Sequence, residues 1–103
     1  RNNEILILGD SQARGIGIML RDLMPDAKYN ISNFFKPNAS LDEVLGNVEE
    51  LTKHFTCEDY LIVMGGSNDA LKGTKIETRT LKKLSDLTQR LNLICIFLEF
   101  ARP

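Results

Sequence analysis

Three short stretches bring together residue types that can do chemistry. Gly9-Asp10-Ser11 sets a hydroxyl after a glycine and a carboxylate. A serine at the start of a helix, where free backbone N–H groups and the helix dipole favour negative charge, is placed to act as a nucleophile. Serine is also among the commonest helix caps, so position alone leaves both roles open. Gly65-Gly66-Ser67-Asn68-Asp69 joins two glycines, which permit a tight turn, to an amide side chain that donates two hydrogen bonds. Asn68 can therefore line an oxyanion hole, although the same residue types also build ordinary turns. Between these stretches, Lys36-Pro37-Asn38-Ala39-Ser40 offers backbone N–H groups or simply leads into a helix.

The elements that must position these stretches follow from hydrophobic spacing. Ile5–Leu8, Tyr60–Met64 and Leu93–Leu98 are continuous apolar runs, the pattern of parallel strands covered on both faces. Tyr29–Phe34 alternates and reads as an edge strand. Leu41, Val44, Leu45, Val48 and Leu51 recur at helical spacing, opened by a capping box of Ser40 with Glu43. Ile76, Thr80, Leu84, Leu87 and Leu91 repeat this pattern behind a second box, Thr74 with Glu77. Ala13, Ile16, Leu20 and Leu23 share a face of a first helix that Met24-Pro25 ends, with Gly15 and Gly17 allowing close packing on the sheet.

The order β-α-β-α-β-α-β implies right-handed crossovers and a three-layer α/β/α, flavodoxin-like parallel sheet with strand order 2-1-3-4. The loops after the first three strands then meet at the carboxyl edge. In that order the last strand is also an edge, although it is the most uniformly apolar segment of the chain. Such edges are usually blunted by charge, proline or a covering element, so a further strand or a partner chain is expected over residues 93–98.

Taken together, Ile7-Leu8-Gly9-Asp10-Ser11 and Gly66-Ser67-Asn68-Asp69, in order at the ends of the first and third strands, resemble the SGNH hydrolases, also called GDSL-type esterases. This family of serine ester hydrolases has the flavodoxin-like architecture inferred above, and the likeness spans nearly the whole chain as one domain. The resemblance implies that Ser11 attacks an acyl carbon. It also implies that the Ser11 N–H, a backbone N–H after the second strand (here that of Asn38) and the Asn68 side chain hold the oxyanion. Gly9, Asp10, Gly66 and Asp69 would support the site loops. Two departures stand out. Asn38 occupies a position usually held by glycine, a departure softened by asparagine's tolerance of positive φ. The family's Asp-x-x-His segment, which carries the general base, is missing. The implied protein is a member cut short of its fifth strand, with histidine and aspartate beyond Pro103, and this chain alone is expected to be a poor catalyst.

His54, the only histidine, follows a helix of roughly 12–13 residues that starts at the carboxyl edge, which puts it about 18–20 Å from Ser11 at ~1.5 Å per residue. A base must lie within hydrogen-bond reach or one water away.

Composition narrows the remaining classes. Thirteen basic against fourteen acidic residues among 103 leave a net charge of −1, so no global field draws the chain to nucleic acid or membrane. The basic run from Lys72 to Arg90 lacks interleaved aromatics and reads first as a solvated helix face. No apolar run approaches the ~18–20 residues of a membrane span, and the chain reads as soluble. Cys57 and Cys95 lack metal-ligand spacing and read as buried or incidental thiols, which slightly favours an intracellular protein. No dinucleotide or phosphate-loop pattern occurs, so no cofactor is expected, and the resemblance implies a small acyl ester as the partner. Two other readings keep the fold: a non-catalytic module that binds RNA or protein, and a flavodoxin-like small-molecule site in the same crevice.

Overall fold

A computed structural model describes residues 3–25, 28–66, 73 and 75–97. Four parallel strands, β1 (Asn3–Gly9), β2 (Tyr29–Phe35), β3 (Tyr60–Gly65) and β4 (Asn92–Phe97), form one sheet in the order β2-β1-β3-β4. Strand order, direction and edge assignment follow the sequence reading. The central strand β1 is the most enclosed, with Ile5 to Gly9 all buried. Period-2 alternation sends Leu6 and Leu8 to one face and Ile5 and Ile7 to the other.

The Leu6/Leu8 face carries the larger core. Leu41, Val44, Leu45, Val48 and Leu87 pack there on Leu61 and Val63, and burying each such side chain stabilises the fold by roughly 1.5–3 kcal/mol. They come from α2 (Leu41–Val44) and its C-cap Leu45, α3 (Val48–Leu51) and α4 (Thr78–Thr88). The single helix expected over residues 41–51 is thus two short ones. Gly46 N–H turns back to the Glu43 carbonyl and Val48 N–H to that of Leu45, three residues away instead of four, at a Gly-Asn pair of low helix propensity. The Ser40–Glu43 box forms in both directions, at 3.2 and 3.1 Å. The second box does not open α4. Thr74 lies outside the described residues, while Glu77 is itself the cap residue, and its carboxylate pairs with Arg79 Nε at 2.6 Å.

On the opposite face α1 (Ile16–Leu23) lies over Ile5, Ile7 and Ile31 and ends at Met24 before Pro25. Gly17 belongs to the close contact expected of it, because a Cβ there would meet Asn33 Cβ at 3.0 Å. Gly15, by contrast, has open space around it and is needed for its φ of +75°. Leu23, expected on the buried face, is exposed. Ile94 and Ile96 are also exposed, so β4 is not covered on both faces as its sequence suggested. Among the described residues α1 is the only helix on this side, and it reaches across β1 and β2 rather than β4. Cys57 and Cys95 are free and exposed, not buried, although partial burial of its sulfur pushes the Cys95 thiol up.

At the amino end of the sheet one buried aspartate ties three strands, through its carboxylate and its carbonyl. Asp59 accepts the N–H groups of Glu4 and Thr56, both at 2.8 Å, and its carbonyl accepts Asn92 N–H at 3.0 Å. Replacing it with alanine strands buried donors, and Asp59→Ala should lower unfolding free energy by about 2–3 kcal/mol in urea titration. A loss below about 0.5 kcal/mol would refute this role.

Two further carboxylates tie α2. Thr80 Oγ1 donates to Asp42 Oδ1 at 2.7 Å and is the main reason Asp42 titrates below its ordinary value, helped by Arg79 and Lys83. Glu43 is held low chiefly by the Ser40 N–H. A carboxyl with a depressed folded-state pKa adds stability above its unfolded value near 4 and loses it as pH falls through the folded value. Both groups are largely in solvent, so the effect is modest. The urea midpoint should decline as pH drops below about 4, and Asp42→Asn should flatten that decline; an acid limb identical to wild type would contradict it.

Candidate active site

The carboxyl edge is organised where β1 passes closest to β3. A Cβ on Gly9 would stand 2.5 Å from the Met64 carbonyl oxygen and 2.6 Å from Ala13 Cβ, so no side chain fits. That approach lets Asp10 N–H donate to Met64 O at 3.1 Å. On the other flank, Lys36 N–H donates to Gly9 O at 2.9 Å, which joins the loop after β2 to the same strand end.

Asp10 is 1% exposed. Its carboxylate accepts the Gln12 N–H at 3.0 Å and its carbonyl the Ala13 N–H at 3.0 Å, which caps a single 3-10 turn, Ser11–Ala13. The sequence put Ser11 at the start of a helix, with capping as one of its two roles; in the structure Asp10 is the cap, and Ser11 is the first, exposed residue of a single turn. The regular helix starts only at Ile16, after Gly15.

After β2, Ala39 N–H closes a turn on the Lys36 carbonyl at 3.2 Å, with Pro37 and Asn38 in its middle. Asn38 adopts φ 61°, the left-handed conformation that a proline-then-glycine turn would give to glycine. After β3, Gly66 takes φ 95°, again glycine's region. Ser67, Asn68 and Asp69 lie outside the described residues. Ser11, Asn38 and Gly66 thus sit on three loops that leave the same edge, because Gly9 is in register with both Phe35 and Met64.

His54 is elsewhere. It lines a groove with Glu4, Ile5 and Phe55 at the amino end of β1, about five strand residues, or ~17 Å, from Gly9. Among the described residues no group of three or more histidine, cysteine, aspartate or glutamate side chains could hold a metal ion, and no helix is long and apolar enough to cross a membrane. One feature that sequence reasoning missed is the pair Arg14–Phe35, whose guanidinium carbon lies 5.1 Å from the ring centroid at this edge. Twenty-one positions separate the two residues, so only the β1–β2 register brings them together.

Neither protein-family models nor curated proteins give a match. Among solved structures, the chain is similar to the crystal structure of a member of the lipolytic protein G-D-S-L family from Veillonella parvula DSM 2008, with a TM-score of 0.66 and 24% identity. The likeness covers 89% of this chain and 56% of that one, so the chain spans little more than half the length of that protein. At this identity the likeness shows the fold, the α/β architecture expected from the sequence.

Because a main-chain carbonyl is the atom that a Gly9 side chain would strike, the surroundings cannot yield as a flexible side chain would. Gly9→Ala should destabilise the fold by about 2–3 kcal/mol and broaden the amide resonances of residues 10–14. An unchanged urea midpoint would show that the strands do not depend on this approach.

Proposed function

We propose that this chain carries the nucleophile side of a serine ester hydrolase of the SGNH type. The observation that carries the reading is an exposed serine two residues past a strand end whose two neighbouring loops leave the same edge, in a fold shared with a G-D-S-L lipolytic protein. In this reading Ser11 Oγ adds to the acyl carbon of a small ester while its proton passes to a base. The carbonyl oxygen, now an oxyanion, faces the N–H groups of Ser11 and Asn38 and the Asn68 amide, and each such donor is worth about 3–4 kcal/mol in the transition state. Collapse expels the alcohol, which takes the proton. Water then adds to the acyl-serine and releases the acid, restoring the hydroxyl. Gly9 and Asp10, with Gly66 and Asp69, hold the loops that set these positions.

The base comes from outside these 103 residues, because the single histidine is at the far end of the sheet. In this reading a further strand or a partner chain joins β4, an edge strand among the described residues. The same lack of a base favours one alternative, a module that uses this edge for binding alone.

Supplying a base in solution separates the two. Imidazole should accelerate both fluorophosphonate labelling of Ser11 and turnover of a p-nitrophenyl ester, at least tenfold above the Ser11→Ala protein under the same conditions. Equal rates in wild type and Ser11→Ala, with labelling absent by mass spectrometry, would remove the hydrolase reading and leave the binding module.

A further inference from the structure

Arg14 follows the Ser11–Ala13 turn directly, and its backbone N–H donates to the Ser11 carbonyl at 3.2 Å. Its guanidinium lies over the ring of Phe35, the last residue of β2 and the register partner of Gly9. Both side chains are exposed, Phe35 to 42%. The other arginines of the described residues use their guanidinium N–H groups internally: Arg21 on the Ile31 carbonyl, Arg79 on Asp42 and Glu77, and Arg90 on Thr52. Lys36, a second cation at this edge, pairs with Glu43 at 3.6 Å. Among the described residues the Arg14 guanidinium meets neither a carboxylate nor a carbonyl; it meets a ring.

That arrangement suits recognition. Contact with the ring restrains the guanidinium without using its N–H groups, which stay available for a bidentate acceptor that a lysine in the same place could not match. A 3-10 turn rises about 2 Å per residue, so the Arg14 main chain is ~6 Å from that of Ser11 and an arginine side chain spans a comparable length. Any anion it holds is therefore a few bonds from an acyl carbon at Ser11.

We infer that Arg14, held on Phe35, is an anion-recognition residue at the rim of the Ser11 site, and that the substrate is an ester bearing a carboxylate or phosphate group a few bonds from its scissile carbonyl. The inference rests on the hydrolase reading for the word substrate, but the anion site itself does not.

The test uses matched pairs of small esters: monomethyl against dimethyl succinate for the carboxylate, and an acetylated glycerol phosphate against acetylated glycerol for the phosphate. Binding to the 103-residue protein is followed through the amide resonances of residues 11–15 and the Arg14 Nε–H. At least one charged ester should bind tenfold or more tightly than its neutral twin. That ratio should fall close to one in Arg14→Met, and to an intermediate value in Phe35→Leu and in Arg14→Lys. Which pair shows it tells carboxylate from phosphate. Equal affinity within both pairs, or a preference that survives Arg14→Met, overturns the inference. Fluorophosphonate labelling is scored on the same protein with imidazole supplied: a charge preference without labelling defeats only the hydrolase reading, and labelling without a preference defeats only the role of Arg14.

Discussion

The close pass of β1 over β3 at Gly9 is the constraint from which the carboxyl edge is built. With no side chain at this residue, the backbone comes near enough for Asp10 N–H to reach the Met64 carbonyl, and Ala13 can fold back over the strand end. The Gly9 carbonyl is then presented to Lys36 N–H on the other flank. One residue thereby couples the loops after β1 and β2 to the end of β3, and their relative placement is set by main chain rather than by side-chain packing. Main-chain contacts of this kind tolerate little drift, which a site assembled from several loops requires.

The amino end is clamped by different means. Asp59 holds the starts of β1, β3 and β4 with a buried carboxylate and a carbonyl. With both ends of the sheet tied by hydrogen bonds, the apolar cores fill the space between them. The cores are unequal. α2, α3 and α4 together cover the Leu6/Leu8 face, whereas α1 alone lies on the other and leaves a groove of about 210 Å³ bordered by Tyr60, Ile62 and Ile94. The exposed isoleucines of β4 follow from this geometry: α1 lies across β1 and β2 and leaves that face of β4 open among the described residues.

How much of this was legible in the sequence depended on how local the deciding interaction was. Apolar runs marked β1 and β3, because burial on two faces excludes polar residues from the whole run, and alternation marked β2 as an edge. The Ser40–Glu43 box was legible because both partners lie within one turn. Thr74–Glu77 has the same spacing and does not open α4, since the Glu77 carboxylate goes to Arg79 and its carbonyl to Thr80 and Leu81 N–H. Spacing cannot report that competition. The break at Gly46-Asn47 was masked by an apolar stripe that continues across it, as Leu45 and Val48 remain buried on either side. Arg14 and Phe35 share an edge only through strand register, which no local pattern carries.

The exchange of roles between Asp10 and Ser11 has a chemical consequence. Either residue type can cap a turn, and a serine that did so would commit an oxygen lone pair to a backbone N–H. Here the buried carboxylate of Asp10 accepts the Gln12 N–H, so the capping hydrogen bond falls to a side chain that is shut away from solvent. The neighbouring hydroxyl stays outside that bond and on the surface. A carboxylate also holds backbone N–H groups more strongly than a neutral hydroxyl does, because the bond is charge-assisted. The turn is therefore fixed by the residue that cannot reach a ligand, which leaves the adjacent one able to meet it. That division between neighbouring side chains follows from where β1 ends, and β1 ends where Gly9 lets the backbone meet β3.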